Sequence, residues 1–516
     1  MPGSRSTFTY KDRHPKIAAP SRTETVLTRI TLFFAALLAC LPVAAQDAAS
    51  TAPTVPLEDC RIRAGDGFPG IKARCGTLQR PENPADPDSA MIDLKVAVVP
   101  ALTLEPEPDP FVPIAGGPGQ STIEFYAGYA SAFEEVRRNR DIVLMDQRGT
   151  GESALMQCEV DEEVLEGRFS REQTIAVTRE CLEQLPHDPR FFTTSVAVED
   201  LEALRTALGY SQLNLYGISY GSRVAQHFVR RVPASTRTVV LDGVAAPQVA
   251  LGPGVAVEAQ KTLDAIFDRC AEAESCSERF PSIRDDFDIL RTSLAASPVT
   301  LSLADPLTGR PDEIEFGSDE IAGALRMLSY NPATVALIPL LIDEAVNGNF
   351  QPLAAQFAMI ADSMSDVMAI GMHNAVVCSE DFPHFDREDV SRDDLLATYI
   401  GPLMLDALDA ICTVWPEGVV DDNFKSPVAT TLPVLLLSGE ADPITPPAYG
   451  DLAAVDMENA LHLTGPQQGH GQAIVGCMPR IIGDFVDAAS IATLDTDCID
   501  RFFAMPFFLD FSGPSP

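Results

Sequence analysis

The pentapeptide Gly217-Ile218-Ser219-Tyr220-Gly221 joins an apolar stretch, Leu213-Asn214-Leu215-Tyr216, to a longer periodic one, Tyr220 to Arg231. The first reads as a buried strand and the second as a helix, so the chain must reverse within a few residues. A turn this sharp forces side chains two before and two after its centre into collision, and glycine at 217 and 221 avoids that. The central hydroxyl is then held away from the backbone at a helix N-terminus, where partial positive charge favours an oxyanion. It is the only G-x-S-x-G in the chain. On the pentapeptide alone, a structural Gly-Ser turn is the competing reading.

The flanking pattern supports the strand–turn–helix reading. Asp93 to Val99, Phe111 to Ile114, Asp141 to Met145 and Thr238 to Leu241 read as strands, and Ser195 to Leu208 as a helix. Such alternation implies a mainly parallel sheet with helices on both faces. Between about Val249 and Ser426 the apolar spacing turns helical, as at Leu263, Ile266, Phe267 and Cys270, or at Ile321, Ala324, Leu325 and Leu328, with Ser318 placed to cap the latter helix. Strand character returns at Pro433 to Leu437 and Ala460 to Leu463, and a last helix is expected from about Gln472. The expected organisation is a signal segment over 1–45, a flexible leader over 46–58, a core over 59–248, a helical insertion over 249–427 and the rest of the core over 428–516.

Six basic residues lie between Arg5 and Arg29, followed by the apolar run Ile30 to Val43 and then Ala44-Ala45. That is the order of a secretory signal, with cleavage expected after Ala45. Leu37-Leu38-Ala39-Cys40 also fits a lipobox, which would make Cys40 a lipid anchor. The run is shorter than the ~20 apolar residues a spanning helix needs. The other ten cysteines (60, 75, 158, 181, 270, 276, 378, 412, 477 and 498), paired in sequence order, would close five loops, as suits an oxidising compartment. There is no C-x-x-C and no Cys/His cluster, so no metal is expected. A net charge of -37 argues against nucleic acid and anionic lipid surfaces as partners.

A serine nucleophile needs a base, and the base needs an orienting carboxylate. Of the seven histidines, three follow the serine outside the insertion: His227 on the helix after the elbow, where a core or surface role is expected, His462 within a strand and His470 in the loop Gly469-His470-Gly471. The loop position suits the base. Asp442, after the strand Leu432-Pro433-Val434-Leu435-Leu436-Leu437-Ser438-Gly439, is the candidate orienter, with Glu440 its rival. Backbone donors for an oxyanion are expected at Tyr220 and, in Gly116-Gly117-Pro118-Gly119, at Gly117. A phosphate loop is the alternative for those glycines, but no G-K-[ST] follows.

These pieces, with Asp146-Gln147-Arg148-Gly149-Thr150-Gly151 and Asp442-Pro443-Ile444-Thr445-Pro446, resemble the prolyl and tripeptidyl aminopeptidase family of serine α/β-hydrolases, particularly its secreted, tripeptidyl-aminopeptidase-like branch. They run in the family's order across nearly all the mature chain. The resemblance implies an α/β-hydrolase fold with a mainly parallel sheet and a mostly helical cap. It also implies Ser219, His470 and Asp442 as the triad and no cofactor. In the family, acidic cap residues hold the substrate's free α-ammonium, and Val377-Cys378-Ser379-Glu380-Asp381 resembles such a segment. Glu380 is therefore the candidate, with Asp381 behind it; a solvated acidic turn beside a Cys378–Cys412 disulfide is the competing reading. Prolyl members carry histidine before the double glycine where this chain has Ala115, which points away from strict proline preference. The expected partner is a peptide, or a small acyl substrate if the same triad serves an esterase or amidase. A non-catalytic binding protein is the third possibility.

Overall fold

The computed structural model describes residues 55–514 apart from 66, 87, 159–169, 253, 305–308, 387–389 and the side chains of 362–366. The expected signal segment, its Cys40 and the leader up to residue 54 lie outside the described residues.

Short runs of mainly apolar side chains form strands when both faces are covered. Phe111–Ile114 (β4), Ile142–Met145 (β5), Leu213–Ile218 (β6) and Val434–Gly439 (β10) are such runs, and nearly every residue in them is buried. With Thr236–Asp242 (β7) and Ala460–Gly465 (β11) they form the parallel part of a sheet. Glu58–Ile62 (β1), Ile71–Pro81 (β2) and Met91–Val99 (β3) extend it antiparallel, giving the order β1-β2-β3-β5-β4-β6-β7-β10-β11. Each face carries its own apolar layer, one around Val224, Phe228 and Leu201, the other around Phe133, Ile482 and Phe485. This is the α/β-hydrolase arrangement expected from the sequence.

Between β7 and β10 the chain is chiefly helical, from Val255–Glu272 to Leu403–Cys412, and encloses a third apolar cluster that includes Leu263, Phe267, Leu290 and Leu325. Three local expectations need correction. Val299–Ala304 (β8) and Pro311–Phe316 (β9) pair antiparallel within this otherwise helical stretch. Val299, Leu301 and Leu303 alternate with exposed neighbours, a period of two that a helix cannot use. The helix at 318 begins with Ser318 itself; Gly317 is the N-cap, its N–H donating to Glu320 Oε2 at 2.7 Å. The last large helix spans Met478–Ala488 and does not start near Gln472, because Gly471 and Gly476 adopt positive φ and residues 472–473 are bound elsewhere.

The five disulfides join cysteines in sequence order: 60–75, 158–181, 270–276, 378–412 and 477–498. That number of bridges belongs to an oxidising compartment. No described helix is long and apolar enough to cross a membrane. The Cys378–Cys412 bridge spans 34 positions and ties the acidic segment to the helix Leu403–Cys412. Restricting a loop of that length in the unfolded chain stabilises by about 4 kcal/mol. Replacing both cysteines by alanine is expected to lower the urea midpoint accordingly; an unchanged midpoint would contradict the estimate.

Candidate active site

Ser219 stands between β6 and the helix Tyr220–Arg231 with φ 55° and ψ -125°, a conformation that costs a non-glycine residue about 1–3 kcal/mol. Its surroundings hold it there. The Ser219 N–H donates to Asp242 O at 2.9 Å, and its carbonyl accepts from the Ser222 N–H at 2.9 Å and the Ser222 hydroxyl at 2.6 Å. A Cβ at Gly217 would stand 2.2 Å from Gly221 O, and one at Gly221 2.2 Å from Ile114 O. The two glycines thus let strand, helix and the loop after β4 close on one another. Ser219 itself remains partly exposed.

Asp442 is buried at the end of β10 and accepts four hydrogen bonds: from Ile444 N–H (2.9 Å), Thr445 N–H (3.0 Å), the Thr445 hydroxyl (2.8 Å) and His470 Nδ1 (2.8 Å). With its Nδ1 proton directed at the carboxylate, the imidazole has Nε2 free to accept from a hydroxyl. Burial by itself would lower the His470 pKa, but the Asp442 charge and hydrogen bond outweigh it, and the net shift is upward. Asp242, fully buried at the tip of β7, accepts from the Gln472 and Ala473 N–H groups and from the Tyr216 hydroxyl, pinning the histidine loop to the sheet. The imidazole rests over Gly243, where a Cβ would come within 2.8 Å of its Cε1. Since the Asp242 carbonyl also receives the Ser219 N–H, Ser219 and the His470 loop are both held by Asp242, the last residue of β7. Ser219 and His470 share no hydrogen bond in this structure.

Both rivals have other work. His462 bonds Asp451 at 2.8 Å and Ser438 Oγ at 2.9 Å, and Glu440 accepts from the Gln467 backbone and side-chain amides.

The loop after β4 lies against the serine: a Cβ on Gly116 would be 3.0 Å from Ser219 Cβ. Among the described residues, neither the Gly117 nor the Tyr220 amide donates to a backbone carbonyl, so both remain free for an oxyanion. Gly117–Pro118 is a cis peptide. What braces this loop was visible in the sequence only as a family marker. Asp146 Oδ1 accepts from the Ser121 hydroxyl (2.7 Å) and Ile123 N–H (3.0 Å), and Gln147 donates to the Tyr220 hydroxyl at 2.9 Å. Arg148 forms a two-point ion pair with Asp200 (2.6 and 2.9 Å), both wholly buried. Three consecutive side chains thereby brace the glycine loop, the residue after the nucleophile and the neighbouring helix. Tyr330, from the insertion, was also missed. Its carbonyl accepts the His470 N–H at 2.8 Å and its ring meets the imidazole edge-on at 5.3 Å.

Glu380 and Asp381 do not form a solvated turn, since both are buried. Asp381 pairs with Arg223 at 2.7 Å and Lys425 at 3.1 Å. Glu380 has no ion pair among the described residues; its carboxylate accepts from the Thr194 N–H (2.6 Å) and hydroxyl (2.8 Å). Thr194 Oγ1 lies 2.7 Å from the Tyr220 hydroxyl, so a chain of hydrogen bonds runs from Gln147 through Tyr220 and Thr194 to Glu380. Burial pushes the Glu380 pKa up to about 7, against the lowering effect of the Thr194 bonds.

Residues 109–267 match the family model described as alpha/beta hydrolase fold, and residues 397–498 the model described as TAP-like protein. The chain is 26% identical over 504 residues to the serine protease Hip1 of Mycobacterium tuberculosis, a match covering 84% of this chain and 90% of that protein. It is 25% identical over 386 residues to the putative hydrolase YuaR of Escherichia coli, covering 70% of this chain and 74% of that one. A 152-residue match to the tripeptidyl aminopeptidase of Streptomyces coelicolor is 29% identical and covers 26% of this chain and 27% of that protein.

The raised Glu380 pKa has a consequence for stability. The folded state holds this proton more tightly than the unfolded chain, whose glutamate titrates near 4.5, so the contribution is fully present below pH 4.5 and is lost as pH rises through about 7. The difference is about 3 kcal/mol. Glu380→Gln should lose this dependence: denaturant midpoints at pH 5 and pH 8 should lie closer together than in the unmodified protein. The same gap in both proteins would contradict the assignment.

Proposed function

We propose that this chain, which belongs to the serine α/β-hydrolases of the TAP-like family, is an exported exopeptidase removing residues or short peptides from free N-termini. The observation that carries the catalytic reading is the buried Asp442–His470 hydrogen bond, set beside the elbow serine by Asp242 and Gly243. Ser219 attacks the scissile carbonyl as His470 Nε2 takes its proton, and Asp442 stabilises the imidazolium. The amides of Tyr220 and Gly117 receive the oxyanion. His470 then protonates the leaving amine, and water, activated by the same imidazole, releases the acyl group. The insertion over 249–427 acts as the cap, touching the base through Tyr330.

The aminopeptidase reading draws support from the likeness to the Streptomyces tripeptidyl aminopeptidase and from the contrast between the two acids. Asp381 already faces two cations, whereas Glu380 faces none of its own. An entering α-ammonium would find its countercharge at Glu380. The five disulfides fit a periplasmic or extracellular setting.

Fluorophosphonate should label the folded protein at Ser219, with no labelling after Ser219→Ala; an unlabelled native protein would remove the hydrolase mechanism. Peptidyl amides with free N-termini should be cleaved faster than their N-acetylated forms, and Glu380→Gln should narrow that difference. Equal rates for free and blocked peptides would leave an esterase or amidase with the same triad. The base works only when neutral, so kcat/KM should rise with pH to a half-maximum above 6.5, the ordinary histidine value. Asp442→Asn should move that limb down and cost about 10³- to 10⁴-fold in rate.

A further inference from the structure

Net charge is a sum, and this one conceals a segregated surface. In the antiparallel pair β1·β2, Arg61 stands opposite Lys72 and Asp59 opposite Arg74. Residues directly opposite share a face, and so do alternate residues of one strand, so Arg61, Lys72 and Arg74 lie on one face, and Arg63, just beyond β1, lines the same cleft. All four are exposed, and none has an ion pair among the described residues; Arg61 donates to the Gly70 carbonyl. They line a cleft of about 720 Å³ with Asp59 and Pro100. Two cations placed directly across a strand pair repel one another, an arrangement that lowers stability unless an anion sits between them. Acids border the group as well: Asp59 on the same face, Glu124 and Glu152 in a neighbouring cleft with Arg61 and Arg63, Glu105 and Glu107 on the loop after Pro100, and, beyond Arg74, Asp141, whose carboxylate is engaged by the Ala101 N–H and the Tyr210 hydroxyl.

Exposed apolar side chains flank these cations. Phe68, in the connection between β1 and β2, is 61% exposed, and the loop leaving Pro100 carries Leu102 and Leu104 at 54% and 99%. A soluble polyanion makes no use of such tips. A lipid surface does, because apolar side chains enter the acyl boundary while cations meet the headgroup phosphates. Among the described residues β1 is the edge strand of the sheet.

We propose that the β1·β2 face is a docking surface for an anionic phospholipid membrane. The charge of -37 does not forbid it. At about 0.15 M salt the Debye length is ~8 Å, so a membrane at contact distance senses the four cations with their nearest acids, Asp59 among them, and little of the rest. At about 0.01 M the screening length reaches ~30 Å, and the whole acidic chain repels the same membrane. Association should therefore be strongest at intermediate ionic strength.

The test is co-sedimentation of the purified protein with phosphatidylcholine vesicles, with or without an equal share of phosphatidylglycerol, at 0.01, 0.15 and 0.5 M salt. The expected result is binding to phosphatidylglycerol vesicles that peaks at 0.15 M and is absent with phosphatidylcholine alone. The combined substitution Arg61→Gln, Arg63→Gln, Lys72→Gln and Arg74→Gln should weaken it more than tenfold. Phe68→Ser with Leu104→Ser should weaken vesicle binding while leaving retention on immobilised heparin unchanged. Hydrolytic activity on a soluble substrate should be the same in all variants, showing that they are folded. Equal vesicle binding by the fourfold variant would overturn the proposal, as would retention on heparin without binding to phosphatidylglycerol vesicles.

Discussion

Everything in the site is organised around the backbone of Ser219, held at φ 55° where β6 gives way to a helix. A conformation costing about 1–3 kcal/mol persists only where its surroundings over-determine it. Here the Asp242 carbonyl takes its N–H, Ser222 takes its carbonyl, and glycines at 217 and 221 let the neighbouring backbones approach. Asp242 does more than hold the turn. Its carboxylate fixes the start of the segment following His470, so one residue of β7 holds both Ser219 and the His470 loop.

Around that turn the protein buries charge, which is stable only when every charged group is matched or hydrogen-bonded. Arg148 and Asp200 satisfy one another in the core, and Asp146 accepts two bonds that brace the glycine loop. Asp381 is matched by Arg223 and Lys425. Glu380, like Asp146 and Asp242, is satisfied by hydrogen bonds with no ion pair among the described residues, and burial raises its proton affinity. Through Thr194 this acid is linked to Tyr220, the residue after Ser219. Tyr330 makes a second connection from the insertion, directly to His470.

The surface follows a different rule from the interior. The net charge is strongly acidic, yet β1, β2 and Arg63 just beyond β1 line one cleft with four cations that have no ion pair among the described residues. Sequence composition reports the sum of these charges, whereas a contacting surface responds only to those within a screening length.

The sequence by itself determined the elements whose signals are local. The apolar runs at 111–114, 142–145 and 434–439 could only be strands covered on both faces. Glycine at 217 and 221 pointed to a close turn, and the order of serine, acid and histidine made Asp442 and His470 the candidates. The choice of His470 over His462 rested on loop against strand, which periodicity reports directly. Where the local signal was weak, the reading erred: the two-residue period of β8 and β9 was short and embedded among helices. Tertiary structure alone decided what depends on residues far apart meeting. The partners of Asp146, Arg148 and Glu380 lie 25, 52 and 186 positions away along the chain. Nothing in a local pattern encodes such a distance. Nor could it show that an acidic pair resembling a solvated turn is buried, because burial belongs to the packed neighbours and not to the residue.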